Sequence, residues 1–140
     1  MYMIGSPAFE SNGAIKLGQA EGGRKIILLA TNYTKTKTMP GYALADSFWL
    51  KEMFHTIHHE FGHILHQTIL YPNEFKNLNP SLFTAEWINY SDEQALQDGF
   101  ITAYSMNVAD DDFVEMVSVM LINGRAGFEA MLRSEEHTSE

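Results

Sequence analysis

Three stretches of the sequence predict an α+β fold. Residues 24–33 form a short apolar run of buried-strand type, bounded by glycines before it and a polar connection after it. Residues 46–71 carry apolar side chains at helical spacing, with Pro72 as the expected stop. Residues 110–123 open on three acids, which complement a helix dipole, and run apolar to Asn123-Gly124. The expected architecture is a small sheet that includes 24–33, with the first long helix packed beneath it.

The remaining segments follow in order. Residues 1–23 contain Gly5, Gly13, Gly18, Gly22, Gly23 and Pro7, and read as loops or a hairpin edge. Strand 24–33 is a candidate edge for pairing with an extended substrate. Asn32-Tyr33-Thr34 matches a glycosylation sequon, a three-letter signal of little weight. Residues 34–41 are a Thr/Lys-rich connection ending in Pro40-Gly41. Asp46 or Ser47 is the expected cap of the first long helix. Gly62 inside that helix costs about 1 kcal/mol relative to Ala, which close approach of another backbone would offset. After a polar loop at 73–80, Asn79-Pro80 is a candidate start for a short helix carrying Phe83 and Trp87. Ser91-Asp92-Glu93-Gln94 fits a capping box, for a helix ending before Gly99. Residues 100–107 look extended or irregular. No repeat or domain boundary is visible.

Composition narrows the class. A chain of 140 residues that is 45% hydrophobic and 12% aromatic is globular and long enough for one domain with a real core. No apolar run approaches the length of a membrane span. With no cysteine, a disulfide framework and a thiolate zinc site are both excluded. The net charge of −9 disfavours a nucleic-acid partner. The first residues show no basic segment followed by an apolar one, so either there is no signal peptide or Met1 is an internal start in a longer chain. Residues 133–140 resemble the translation of a sequencing-adapter oligonucleotide and are set aside. The expected native part is therefore an incomplete domain over residues 1–132, and the tail is expected to be unstructured and to contribute nothing. Without the tail's one Arg and three Glu the net charge is −7.

The chemistry is concentrated in His55-Thr56-Ile57-His58-His59-Glu60-Phe61-Gly62-His63-Ile64-Leu65-His66. His59-Glu60-x-x-His63 is an H-E-x-x-H pattern. Residues four apart share a helix face, so two imidazoles can meet one divalent ion. Glu60 is placed to take a proton from a water activated by that ion. Zinc suits such a site because it accepts imidazole nitrogen and carboxylate oxygen. Glu60 is the only charged acid or base between Met53 and Leu70, and a lone Glu in an apolar helix needs a partner or a task. Leu50, Met53, Phe54, Ile57, Phe61, Ile64, Leu65 and Thr68 fall on the half opposite the histidines, which predicts a helix buried on most sides.

A catalytic zinc usually has three protein ligands. No histidine follows at metzincin spacing, so a carboxylate downstream is the common alternative. Asp111 and Glu115 lie four apart on the second helix. One could bind the metal while the other orients a ligand histidine. Asp110 and Asp112 are explained by the helix dipole alone.

Together these residues resemble gluzincin-type zinc metallopeptidases. The carrying segments are His-Glu-Phe-Gly-His, then Thr102-Ala103-Tyr104, then Asp111-Asp112-Phe113-Val114-Glu115. His58 to Gln67 is similar to the block of the zinc metallohydrolase lipoproteins found beside bacterial outer-membrane nutrient importers. Lethal-factor-type toxin peptidases share the order of parts. The resemblance spans roughly residues 14–130 and implies a zincin-like fold. It also implies Zn2+ as cofactor, a peptide or protein substrate, and an extracytoplasmic, periplasmic or cell-surface location near importer components. Its downstream pattern, Glu-x-Phe-Ala-Glu, assigns Asp111 as third ligand and Glu115 as support. Asp is one methylene shorter than Glu, which keeps Glu115 open as the ligand. Tyr104 matches a tyrosine that stabilises the oxyanion, and could equally be a core aromatic. His55 and His66 match no ligand position. The competing class is a zincin-like binding accessory of an importer, and Glu60 discriminates, because a pure binder does not need it. A non-peptide amidase or esterase is the third option.

Overall fold

The computed structural model describes the backbone of residues 1–136 and the side chains of residues 1–133. The chain divides into two compact units between Thr68 and Ile69. The fold is α+β, as expected.

The first unit holds all the strands among the described residues. They are β1 (Tyr2–Met3), β2 (Ala8–Phe9), β3 (Ile15–Lys16), β4 (Gly18–Glu21) and β5 (Lys25–Leu28). β2 and β3 form an antiparallel ribbon, with Ala8 opposite Lys16. The three-stranded sheet has the order β1-β5-β4, with β1 parallel and β4 antiparallel to β5. The apolar run is therefore the middle strand and not the edge that the sequence suggested. Its hydrogen bonds are taken on both sides, which is why it is the most apolar strand. It is also shorter than expected. Ala30 adopts a left-handed φ of 56° and starts a 3-10 turn at Thr31–Tyr33, which ends the extended backbone.

Helix α1 (Asp46–His66) packs against β4 and β5. Neither expected cap residue caps it. Asp46 Oδ2 accepts from the Ala43 N–H at 2.7 Å, and Ser47 Oγ donates to Leu44 O at 2.7 Å, so both side chains tie down the preceding turn. The helix also stops five residues before the expected Tyr71. Thr68 directs both its N–H (3.0 Å) and its hydroxyl (2.9 Å) to Leu65 O, a local alternative to continuing the helix. Its buried residues are Thr56, His59, Glu60 and Gly62, while Phe54, Phe61 and Leu65 are exposed. The expectation of a helix buried on most sides thus fails. α1 docks through its small and polar face, where Gly18 of the sheet lets it approach closely.

The second unit is built on α2 (Asp92–Gln97) and α3 (Ala109–Glu136). Its core joins Ala95, Phe100, Ala103 and Met106, with Phe83 and Trp87 packed against them. The capping box is as expected. The Gln94 N–H donates to Ser91 Oγ at 3.2 Å, and the Ser91 N–H to Gln94 Oε1 at 2.9 Å. The helix expected at Asn79-Pro80 is instead a set of turns, with a single 3-10 turn at Trp87–Asn89. Residues 100–107 are irregular apart from a 3-10 turn at Tyr104–Met106, which packs on α3. α3 loses helical geometry at Gly124 (φ 68°, ψ 173°), where the sequence predicted its end, and then resumes. Of the tail set aside above, 133–136 continue this helix, contrary to expectation, and 137–140 lie outside the described residues. Among the described residues no helix is long and apolar enough to cross a membrane.

Candidate metal centre

α1 supplies the histidines. Its i,i+4 spacing turns two rings toward each other, and His59 Nε2 and His63 Nε2 lie 3.0 Å apart. Two nitrogens on one tetrahedral zinc, each about 2.0–2.1 Å from it, are roughly 3.3 Å apart. The pair therefore accepts such an ion with a shift of a few tenths of an ångström. His59 is buried and His63 half-buried. Glu60, on the turn between them, is buried as well.

His63 carries a second contact that the sequence reading did not assign. Its Nδ1 lies 2.8 Å from His66 Nε2. A histidine that binds metal through Nε2 keeps its proton on Nδ1 and donates it to a partner, which fixes the tautomer and the ring plane. His66 stands where such a partner would be. The signal was present in the sequence, since three residues along a helix also brings side chains together. His66→Ala should lower zinc affinity by about 10- to 100-fold, the usual loss for such a partner, as read by competition with a chromogenic chelator.

The second unit holds the expected carboxylates, both buried on α3. The Asn107 side-chain amide donates to Asp111 Oδ2 at 2.6 Å. Thr102 Oγ1 donates to Glu115 Oε2 at 2.8 Å and lies 3.1 Å from Ser105 Oγ. The turn carrying these donors is anchored by Asp92 Oδ1, which accepts from the Ala103 N–H at 2.8 Å. Tyr104, the next residue, stands edge-on to Trp87 with ring centroids 4.9 Å apart. It thus has the packing contact of a core aromatic.

Asp112 is buried too. Burial first, and then the charge of Glu115, push its carboxyl up to about 6. The folded state therefore holds this proton more tightly than the unfolded chain. The group favours the fold below about pH 4, and that contribution is lost as the pH rises through about 6. Tyr71 donates a short hydrogen bond to Asp110 and stacks on Phe113. Burial, then Asp110, holds its phenol above the ordinary range. No Lys or Arg occurs between Lys76 and Arg125, although this stretch contains Asp110, Asp111, Asp112 and Glu115. Asp111, Asp112 and Glu115 are buried, and buried carboxylates in a stretch without Lys or Arg suit a cation.

A separate cavity of 290 Å³ lies in the first unit among Phe9, Leu17, Leu28, Trp49 and Met53. It reaches Thr56 but none of the histidines, so the chemistry is not there.

The whole chain, residues 1–140, matches the profile of a family described as "Putative zinc-binding metallo-peptidase". The chain belongs to this family. Among solved structures, it is similar to a zinc-binding metallo-peptidase of that description from Bacteroides caccae, with 23% identity and a TM-score of 0.62. The match covers 94% of this chain and 45% of the solved one, so the chain spans less than half the length of that relative. No curated protein matches. The family description fits the donor set found here, imidazole nitrogen and carboxylate oxygen without thiolate.

Proposed function

We propose that the chain carries the catalytic centre of a gluzincin-type, zinc-dependent peptidase. The observation that supports this reading is the convergence of His59 and His63 at 3.0 Å beside buried Glu60. His59 and His63 would hold the zinc through Nε2. Asp111 would be the third ligand, and Glu115 the support for a ligand histidine, following the order of the family's motifs. When bound, the zinc supplies Lewis acidity, which acidifies water and polarises the scissile carbonyl. The Glu60 carboxylate takes the proton from the attacking water and passes it to the leaving amine. Tyr104 donates a hydrogen bond to the developing oxyanion.

The lipoprotein-like block at His58 to Gln67 supports an extracytoplasmic setting beside an outer-membrane importer, with peptides or proteins as substrates. A non-hydrolytic accessory that only holds nutrients would leave Glu60 without a task.

Purified protein should carry close to one equivalent of zinc and cleave members of a mixed peptide library. A chelator should abolish cleavage and added zinc restore it, while His59→Ala should lose most of the metal. One equivalent of bound zinc with no cleavage of any peptide would favour the accessory role. Equal zinc in wild type and His59→Ala would end the metal assignment.

A further inference from the structure

Gly18 sits on β4, an edge strand of the three-stranded sheet, opposite Leu28. Its φ is not in the left-handed region, so the backbone there does not require glycine. Glycine inside a strand weakens it, and such a residue often marks a close approach of another group. The approach here is to α1. A methyl group on Gly18 would lie 2.6 Å from Thr56 Cγ2, 2.7 Å from Glu60 Cγ and 2.7 Å from Glu60 Oε1. The strand backbone therefore rests directly on the side chain of the proposed base.

The two neighbours differ in how they can respond. Thr56 Oγ1 donates to Glu52 O at 2.9 Å, which fixes its rotamer and keeps the methyl turned toward Gly18. The Glu60 carboxylate is the end of a longer side chain and moves at lower cost. We propose that Gly18 is a positioning residue for Glu60: the bare strand backbone sets where the carboxylate stands. A side chain at 18 meets both neighbours, and of the two Glu60 is the one that can turn away, carrying its carboxylate with it. The displacement is felt in catalysis, because a misplacement of about 1 Å can cost about 100-fold in rate. This inference rests on the reading of Glu60 as the base.

The test compares wild type, Gly18→Ala, Thr56→Ala, the double variant Gly18→Ala/Thr56→Ala, and Glu60→Gln. Each is assayed for zinc content, kcat and KM on a cleaved library peptide, and for the apo crystal structure. Gly18→Ala should keep its zinc, keep KM within about twofold, and lose about 100-fold in kcat. Its apo structure should show Glu60 Oε1 moved by about 1 Å with β4 still paired to β5. The double variant relieves the contact with Thr56, so it folds even where Gly18→Ala does not. It should remain about 100-fold below Thr56→Ala, which itself should be near wild type. A Gly18→Ala protein with wild-type kcat, or a double variant as active as Thr56→Ala, would overturn the proposal. So would an unmoved Glu60 in the apo structures. If Glu60→Gln is as active as wild type, the reading of Glu60 as base fails instead, and the apo structures still report whether Gly18 sets its position.

Discussion

Glu60→Gln should leave the zinc in place and remove at least 100-fold, and up to about 10,000-fold, of the peptidase rate, the range a general base contributes. The amide has nearly the same shape as the carboxylate, so it can occupy the same seat against Gly18. It cannot accept a proton from water. The two imidazoles that meet at 3.0 Å are untouched by the change, so zinc content should stay near one equivalent. The fold should be kept, because a buried charged group is replaced by a neutral one of nearly the same shape. The measurement is kcat with parallel elemental analysis. A variant that keeps more than a tenth of the wild-type rate would show that another group takes the proton.

How legible each part was in the sequence depended on how local its cause is. The meeting of His59 and His63 follows from one helical turn, and so does the capping box of Ser91 and Gln94. Both are found where the spacing puts them. The break at Gly124 needs only a glycine where helical geometry is lost. What the sequence did not display depends on partners distant along the chain. The run 24–33 reads as a strand wherever it lies in a sheet, and only its pairing with β1 and β4 makes it central. α1 is buried on fewer sides than its apolar residues predict, because hydrophobicity along one helix does not say what packs against it. The sheet presents Gly18 to it, and the close fit there is with Thr56 and Glu60, not with Phe54 or Phe61. Pro72 predicts a later end for α1 than the structure has, because the Thr68 hydroxyl bonds Leu65 O before the proline is reached. His66 lies on the histidine face without a ligand spacing, and only its contact with His63 Nδ1 shows what it can do.

Asp111→Ala should lower zinc affinity far more than Glu115→Ala, whose loss should stay within the roughly 10- to 100-fold typical of residues that support a ligand. Both carboxylates are buried on α3, and each has one oxygen held by a donor from residues 102–107. Orientation alone therefore does not separate them. Their depth in the helix does. Asp111 is in the first turn, held by the amide of Asn107, which precedes the helix by two residues. Glu115 is a full turn further in, tied to a hydroxyl group that also meets Ser105. That setting holds a carboxylate in one orientation, as a group that supports a histidine requires. Glu115 also raises its neighbour: its charge is the second cause, after burial, of the high carboxyl of Asp112. Removing Glu115 should therefore let Asp112 ionise at lower pH in the metal-free protein, a change Asp111→Ala should not reproduce to the same extent. The pair is read out by zinc competition titration, with the carboxyl carbon resonance of Asp112 followed against pH in the apo protein. If Glu115→Ala loses more zinc affinity than Asp111→Ala, the longer side chain is the ligand, and the assignment reverses while the two histidines keep their roles.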